Sequence, residues 1–260
     1  MSRAVAGPAV GDEGKSEDMT RSRLRSGDVR RMFSEIAPTY DLLNSALSLG
    51  LDARWRREAA RAAVAHEPAS VLDVATGTGK LAFAIKRARP STRVTGVDFS
   101  EEMLAEARRA AEREGLDVRF GAADGTALPF PDAAFDAVTI AYGLRNFEDA
   151  AAGLREFRRV LAPGGKLVVL EFPPPPGGIV GAAFRLYFER LLPLVGGLVS
   201  GRRGAYAYLP RSVNAFLGPE QLAQRMSEAG FIEVRYRMQT LGVSAVHVGS
   251  RAVTGPAGGL

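Results

Sequence analysis

Two glycines and two aspartates in the first half of the chain stand at the ends of two predicted strands, where they could bind a ligand. Residues 71–79, Val-Leu-Asp-Val-Ala-Thr-Gly-Thr-Gly, form an apolar strand pattern that breaks into small residues. Nineteen residues after Gly79, a second strand pattern ends at Asp98. Backbone N–H groups in such a loop can approach a ligand, and a carboxylate at the tip of the next strand can accept both hydroxyls of a ribose.

The glycines alone do not identify the cofactor, because Gly77, Gly79 and Ala82 also satisfy the dinucleotide pattern G-x-G-x-x-A. Asp73, four residues before Gly77, favours S-adenosylmethionine. Its carboxylate can face a methionine ammonium, whereas it would repel a pyrophosphate. A nicotinamide-dependent oxidoreductase, or a nucleotide-binding module without chemistry, stays open as the alternative from another class.

Strand and helix patterns alternate from residue 71 onward. The predicted order is strand 71–75, helix 79–88, strand 93–98, helix 100–114, strand 117–121, strand 135–141, helix 149–160, strand 165–172, helix 219–229, and strands 231–238 and 242–250. Strands alternating with long helices indicate a parallel sheet covered on both faces. We therefore predict an α/β fold, a Rossmann-like, seven-stranded, mostly parallel sheet that ends in an antiparallel pair.

The segments around this core have different compositions. Residues 1–27 lack an apolar period and predict a disordered leader, followed by one catalytic domain over 28–251 and a flexible tail over 252–260. An N-terminal helical segment should open the domain. Residues 178–200 are apolar but interrupted by charges and a proline, which predicts a helical lid before the last two strands, not a membrane span.

Composition limits the function classes. The chain has 260 residues and no Cys, which excludes disulfides and thiolate metal sites, and we expect no metal. It shows neither an apolar run long enough to span a bilayer nor a signal-peptide pattern, so we expect a cytoplasmic protein. The formal net charge of +5 suits an anionic surface, either nucleic acid or the inner membrane leaflet, although a solvated arginine-rich face explains it equally well.

In an open parallel sheet, a ligand lies beyond the carboxyl ends of the strands, where the strand order reverses. Candidate residues at these ends are Thr76, Gly77, Thr78 and Gly79, then Asp98, then Asp124 and Gly125, and finally Ala141, Arg145 and Asn146. Asp124 is placed to accept from an adenine amino group, and Gly125 permits close approach of the ring. Strand-end aspartates also cap helices, but Ser100 is a better cap candidate than Asp98.

Longer motifs extend these matches beyond the cofactor site. They are Tyr40-Asp-Leu-Leu-Asn44, Asp73-Val-Ala-Thr-Gly-Thr-Gly79, Leu128-Pro-Phe-Pro-Asp132, Tyr142-Gly-Leu-Arg-Asn146, Leu161-Ala-Pro-Gly-Gly165, Val169-Leu-Glu-Phe172 and Tyr206-x-Tyr208-Leu209. With these motifs, residues 28–250 resemble the demethylmenaquinone/ubiquinone C-methyltransferase family. The segments 40–44 and 142–146 are the most discriminating, since several of the others occur in many S-adenosylmethionine methyltransferases.

The resemblance implies methyl transfer from S-adenosylmethionine to a ring carbon of a polyprenylated quinol, with demethylmenaquinol favoured over the ubiquinol precursor. Another phenolic or lipid acceptor stays open. The implied cofactor contacts are Thr78, Asp98, Asp124, Gly125 and the backbone near Ala141. The chain departs from the family at Lys80, where the family usually has Asp. Restoring that carboxylate by Lys80→Asp is expected to tighten cofactor binding.

The implied reaction needs an aligned methyl group and an electron-rich ring, which requires removal of a hydroxyl proton. We assign Arg145 as the cation that stabilises the phenolate, with a water oriented by Asn146 or Tyr40 as the proton acceptor. The alternative is that Asn146 caps the next helix and Arg145 pairs with Glu148 or Asp149. The chain has two histidines, and the one on the last strand, at position 247, is expected to be packed.

A polyprenylated quinol lies in the bilayer, so the protein should contact the anionic inner face of the membrane transiently and peripherally. The segment 54–57, Arg-Trp-Arg-Arg, offers Trp55 as an aromatic anchor with cationic neighbours. We expect no nucleic-acid partner, and a homodimer is left open.

Overall fold

Seven strands form one sheet in the computed structural model, which describes residues 48, 50–175, 177–178, 181, 186 and 212–253. The strands are β1 (Ser70–Val74), β2 (Arg93–Asp98), β3 (Val118–Ala122), β4 (Phe135–Ala141), β5 (Leu161–Glu171), β6 (Phe231–Gln239) and β7 (Ser244–Arg251). Their order is β3-β2-β1-β4-β5-β7-β6, with β1 to β5 parallel and β7 antiparallel to both of its neighbours. The predicted mostly parallel sheet with an antiparallel pair at its edge is confirmed.

Helices connect the strands. They are α1 (Leu51–Val64), α2 (Lys80–Ala88), α3 (Glu101–Glu114), α4 (Ala150–Val160) and α5 (Pro219–Glu228), with short 3-10 turns at Leu144–Asn146 and Thr240–Gly242. Ser100 caps α3, because its hydroxyl accepts the N–H of Met103 at 3.3 Å, as the sequence predicts.

Two apolar layers cover the sheet, one on each face. Neighbouring strand residues point to opposite faces, so Leu72 packs in one layer with Phe157 of α4, while Val71 packs in the other with Trp55 and Ile85 of α1 and α2. The prediction of helices on both faces is therefore confirmed.

β5 begins four residues before its predicted start, because a bulge carries the turn-forming residues 162–165 within the strand. Phe135 is paired with Leu161, but Ala137 is paired with Lys166. The N-terminal helical segment and most of the lid over 178–200 lie outside the described residues. Within the described part of the chain, no helix is long and apolar enough to cross a membrane.

Candidate active site

The loop between β1 and α2 turns through three residues with left-handed backbone conformation. Ala75, Gly77 and Gly79 have φ angles of 50°, 55° and 84°. The Thr76 N–H donates to the Val97 carbonyl at 2.9 Å, which fastens the loop to the end of β2. A Cβ added at Gly77 would meet no atom within 4 Å. This open backbone allows the close approach of a ligand that the sequence predicts.

Asp98, at the end of β2, lies directly beside this loop. One of its carboxylate oxygens accepts the Gly77 N–H at 2.8 Å and the other accepts the Ser100 N–H at 3.0 Å. Burial raises the pKa of Asp98, and the backbone N–H groups oppose that rise. Each carboxylate oxygen has a second lone pair, so the group that orders the loop can also accept ribose hydroxyls.

Asp73 is sealed beneath the loop and is 1% exposed. Its oxygens accept the hydroxyls of Thr76 at 2.6 Å and Thr139 at 2.7 Å. Burial raises the pKa of Asp73 to about 6, against the opposing effects of these hydroxyls and of Arg56. At neutral pH a buried negative charge therefore lies under the loop, which favours a cationic ligand group over a phosphate at this edge.

Asp124 and Gly125 form a turn beyond β3. Asp124 is exposed, and its Oδ1 accepts both the N–H and the hydroxyl of Thr126, at 2.8 and 2.7 Å. A Cβ at Gly125 would overlap the ring of Phe147. The glycine is thus required for packing within the protein, and its contact with an adenine ring stays a prediction.

The segment after β4 meets the cofactor loop. Tyr142 has a φ of 58°, and a Cβ added at Gly143 would lie 2.7 Å from the Cβ of Ala75. Ala141, half-buried, is paired with Leu170 of β5. Because β1 and β4 are neighbours whose connections leave in opposite directions, their ends form the switch point of the sheet. The cofactor candidates from β1, β2, β3 and β4 therefore share one edge, with Thr76 and Thr78 buried in the loop itself.

Arg145 forms a buried ion pair that sequence reasoning missed. Its Nη1 lies 2.8 Å from Glu171 Oε2, and the two side chains are 3% and 2% exposed. The Arg145 N–H also donates to Glu171 Oε1 at 3.2 Å. The Nε of Arg145 is buried without a hydrogen-bond partner. Glu171 belongs to the motif Val169-Leu-Glu-Phe172, and a carboxylate at the end of a buried strand is the sequence signal that points to it.

The structural alternative proposed for Arg145 and Asn146 is wrong in both details. Asp149, not Asn146, caps α4, since its carboxylate accepts the Ala152 N–H at 2.9 Å. Arg145 is paired with Glu171 and not with an acid of the following segment.

Of the three predicted catalytic residues, two share one turn. Arg145 and Asn146 lie in the 3-10 turn after β4, where the Asn146 N–H donates to the Gly143 carbonyl at 3.0 Å. Tyr40 lies outside the described residues. The structure thus brings Arg145 and Asn146 to the switch point, and their catalytic roles stay predictions.

An aromatic cluster of Trp55, Tyr142 and Phe172 adjoins the ion pair. Tyr142 and Phe172 are stacked with ring centroids 4.2 Å apart, and Trp55 meets Phe172 edge-on at 5.8 Å. The Arg145 guanidinium lies 6.0 and 5.7 Å from the centroids of the two stacked rings. Burial raises the pKa of Tyr142, so its phenol stays neutral.

A second buried ion pair lies within α1, beside the aromatic cluster. Arg56 pairs with Asp52 within α1, and its guanidinium lies 5.3 Å from the centroid of the Tyr142 ring. Burial opposes ionisation of Asp52, yet Arg56, Ser48 and Lys80 together lower its pKa. Asp52 is therefore charged at neutral pH, and Lys80, the first residue of α2, lies within electrostatic range of it.

The prediction that Trp55 anchors the protein in the membrane is wrong, because Trp55 belongs to the core. It is 2% exposed, and its indole N–H donates to the Thr240 hydroxyl at 2.8 Å. Arg56 is buried as well, whereas Arg54 and Arg57 are exposed. Helical periodicity turns Trp55 toward the sheet, although its neighbours in sequence are charged.

The histidines take no part in the site. His247 is 1% exposed, lies 2.9 Å from the Pro219 carbonyl and stacks on Tyr236, as expected for a packed residue. His66 is exposed. Among the residues that the structure describes, no group of three or more His, Asp or Glu could hold a metal ion.

Comparison with known protein families gives a match over most of the chain. The model described as the ubiE/COQ5 methyltransferase family matches residues 19–251. The chain belongs to this family. The predicted enzyme class, an S-adenosylmethionine-dependent methyltransferase, is therefore confirmed.

Similar proteins carry names from quinone biosynthesis. The demethylmenaquinone methyltransferase of Thermus thermophilus is 60% identical, with 85% of this chain and 100% of that protein covered. The demethylmenaquinone methyltransferase of Deinococcus radiodurans is 55% identical, with coverages of 86% and 92%. The ubiquinone/menaquinone biosynthesis C-methyltransferase UbiE of Geobacter sulfurreducens is 43% identical, with coverages of 92% and 95%.

Solved structures share the fold of this ubiE/COQ5 family member. The [4+2]-cyclase SpnF has a TM-score of 0.67 at 20% identity and covers 89% of this chain and 97% of its own. An S-adenosylmethionine-dependent methyltransferase from Thermotoga maritima has a TM-score of 0.58 at 20% identity, with coverages of 85% and 99%. At this identity the likeness supports the Rossmann-like fold alone.

Proposed function

We propose that this protein transfers the methyl group of S-adenosylmethionine to a ring carbon of demethylmenaquinol. The observation that carries the proposal is the 60% identity over the full length of a relative named demethylmenaquinone methyltransferase. The ubiquinol precursor is the second candidate, because a relative at 43% identity is named for both quinones.

The residues at the switch point fit S-adenosylmethionine. The cofactor supplies a methyl group made electrophilic by its sulfonium. Asp98 would accept the ribose hydroxyls, Asp124 would accept from the adenine amino group, and the open backbone at Gly77 leaves room for the ligand. Asp73 would supply the negative charge opposite the methionine ammonium.

Arg145 would act on the acceptor. Its Nη1 is held by Glu171, whereas its buried Nε–H has no partner, so we assign Nε–H as the donor to the quinol oxygen that loses its proton. That hydrogen bond strengthens as the phenolate forms, which is what raises the electron density of the ring. A water oriented by Asn146 or Tyr40 would accept the hydroxyl proton.

We also propose that the protein works in the cytoplasm and visits the inner membrane surface reversibly, since a polyprenylated acceptor lies in the bilayer. The net charge of +5 supports contact with anionic lipid.

The test is transfer of a labelled methyl group from S-adenosylmethionine to short-chain demethylmenaquinol, with the methylated product extracted into organic solvent. Asp98→Ala is the control for cofactor dependence. We expect labelled product with the wild type and a large loss with the variant. Absence of product with the correctly folded wild type, while it still binds S-adenosylhomocysteine, would contradict the proposed acceptor.

A further inference from the structure

A groove of about 460 Å³ runs along the outside of the protein between α1 and α2. Its apolar lining includes Phe83, Ala84 and Ala88 of α2. Its inner end, at Asp52 and Lys80, adjoins the start of α2, immediately after the cofactor loop. We call this feature the α1–α2 groove.

The groove is strongly cationic. Five cationic and two acidic side chains line it, which leaves three positive charges in excess. Both acids are already paired, Asp52 with Arg56 and Glu114 with Arg87.

Arg57 and Arg61 are exposed on the α1 side of the groove. Across the described part of the chain, neither guanidinium forms an ion pair. Arg57 donates from Nε to the Ala53 carbonyl at 3.3 Å, which leaves its two terminal nitrogens for a ligand. Guanidinium forks suit the paired oxygens of a phosphate.

We propose that the α1–α2 groove binds the phosphate head group of an anionic phospholipid and thereby docks the protein on the membrane. Cationic side chains next to apolar ones match a ligand in which a phosphate is attached to a glycerol ester, as a phospholipid is. The proposal rests on the proposed quinol substrate for its purpose, because only a bilayer substrate requires such docking. The proposal assigns contact with the membrane to Arg57 and Arg61, which are exposed, and not to Trp55, which is buried.

The position of the groove agrees with this role. Arg56 lines its inner end and also lies over the ring of Tyr142, in the aromatic cluster beside the candidate active site. A lipid surface held at the groove would therefore lie next to the α1 side of the site where the acceptor must arrive.

Vesicle binding tests the proposal with a control on the same helix. Arg57→Glu combined with Arg61→Glu reverses two groove charges, while Arg54→Glu reverses one exposed charge that pairs with Glu58 and does not line the groove. Partitioning of the wild type and of both variants is measured on vesicles of phosphatidylglycerol with phosphatidylcholine, and on phosphatidylcholine alone. Thermal melting verifies that each variant is folded.

We expect the double variant to lose binding to the anionic vesicles by about tenfold or more, and Arg54→Glu to change it less than about threefold. Equal losses in both variants, or equal wild-type binding to both kinds of vesicle, would overturn the proposal. Binding of inorganic phosphate by the wild type, with no greater binding to anionic vesicles than to phosphatidylcholine vesicles, would show a site for free phosphate instead. Methyl transfer by the wild type to the short-chain acceptor is measured separately, so failure of the proposed function is distinguishable from failure of docking.

Discussion

Arg145 and Glu171, 26 residues apart in sequence, form an ion pair of 2.8 Å at the carboxyl ends of β4 and β5, with both side chains almost completely buried. The Glu171 carboxylate compensates the positive charge of the Arg145 guanidinium and also fixes the orientation of that guanidinium. Breaking a buried pair by removing one partner costs stability because the other charge is left unpaired. Any test of Arg145 in catalysis must therefore separate stability from turnover.

A double-mutant cycle of Arg145→Gln, Glu171→Gln and the double variant separates the effect of Arg145 on stability from its effect on turnover. We expect Arg145→Gln to lower the free energy of unfolding by about 3–5 kcal/mol and the double variant to recover most of that loss. Turnover should fall roughly 100-fold or more in both variants that lack Arg145, because neither retains the donor to the phenolate. Denaturant titration and the turnover number measure the two effects.

Affinity for S-adenosylmethionine should stay within about threefold throughout this cycle, since Arg145 acts on the chemical step. Raising the pH should partly rescue turnover in the Arg145 variants, because bulk hydroxide then supplies phenolate. If the double variant regains turnover together with stability, Arg145 is a structural residue and not a catalytic one.

The raised pKa of Asp73 predicts that the stability of the protein depends on pH. Its pKa is raised by burial to about 6 from an ordinary value of 3.8, so the folded state holds the proton more tightly than the unfolded state. The stabilising contribution of its protonated form is fully present below pH 3.8 and is lost as the pH rises through about 6. Asp73→Asn should therefore gain stability relative to the wild type as the pH rises from 4 to 7.5, by about 2–3 kcal/mol.

Urea titrations at a series of pH values measure this difference, with Asp117→Asn as a control that makes the same chemical change on an exposed residue. The same Asp73→Asn variant should bind S-adenosylhomocysteine more weakly at pH 7.5, because the charge opposite the ammonium is gone. A gain in stability with unchanged affinity would leave Asp73 without a role in cofactor binding.

Much of the fold was predictable because local patterns decide it. The bounds of β2 and β4 coincide with those predicted, since each strand is a short segment with β-branched residues at its centre and turn-forming residues on both sides. The predicted start of β5 is four residues too late, because residues 162–165 have the composition of a turn. The bulge that keeps them in the strand becomes visible only in the pairing with β4.

The site was predictable where it follows strand ends and not where it depends on packing between distant elements. The β1–α2 loop, Asp98 and the turn that holds Arg145 lie at one edge of the sheet, as the order of the strands leads one to expect, and their roles stay predictions. The pairing of Arg145 with Glu171 depends on how β4 and β5 align, which spacing alone does not specify. Burial of Trp55 among arginines depends on which face of α1 meets the sheet.

The sequence suggests that Lys80→Asp tightens cofactor binding, but the structure leads us to expect weaker binding. Lys80 lies within electrostatic range of the buried, charged Asp52, so a second carboxylate there would face a like charge. We expect three- to tenfold weaker binding of S-adenosylhomocysteine by calorimetry, on the order of 1 kcal/mol. Adding Asp52→Asn should restore part of the loss, and tighter binding by Lys80→Asp would refute this explanation.

Trp55 is the single tryptophan of the chain, so intrinsic fluorescence reports on this position alone. Because its indole is 2% exposed, we expect blue-shifted emission that acrylamide quenches poorly. Vesicles with brominated lipid should leave the emission intensity nearly unchanged even when the protein is bound to them. Strong quenching by brominated lipid would mean that Trp55 inserts in the membrane and that the described packing of α1 is opened there.

Competition between two acceptors in one reaction tests the identity of the acceptor most directly. Wild-type protein receives labelled S-adenosylmethionine with equal concentrations of short-chain demethylmenaquinol and the corresponding ubiquinol precursor, and the two products are separated and counted. The ratio of products gives the ratio of kcat/KM. We predict that most of the label enters menaquinol, bound to a ring carbon; label mainly in the ubiquinol-type product, or on an oxygen of either ring, would contradict the account.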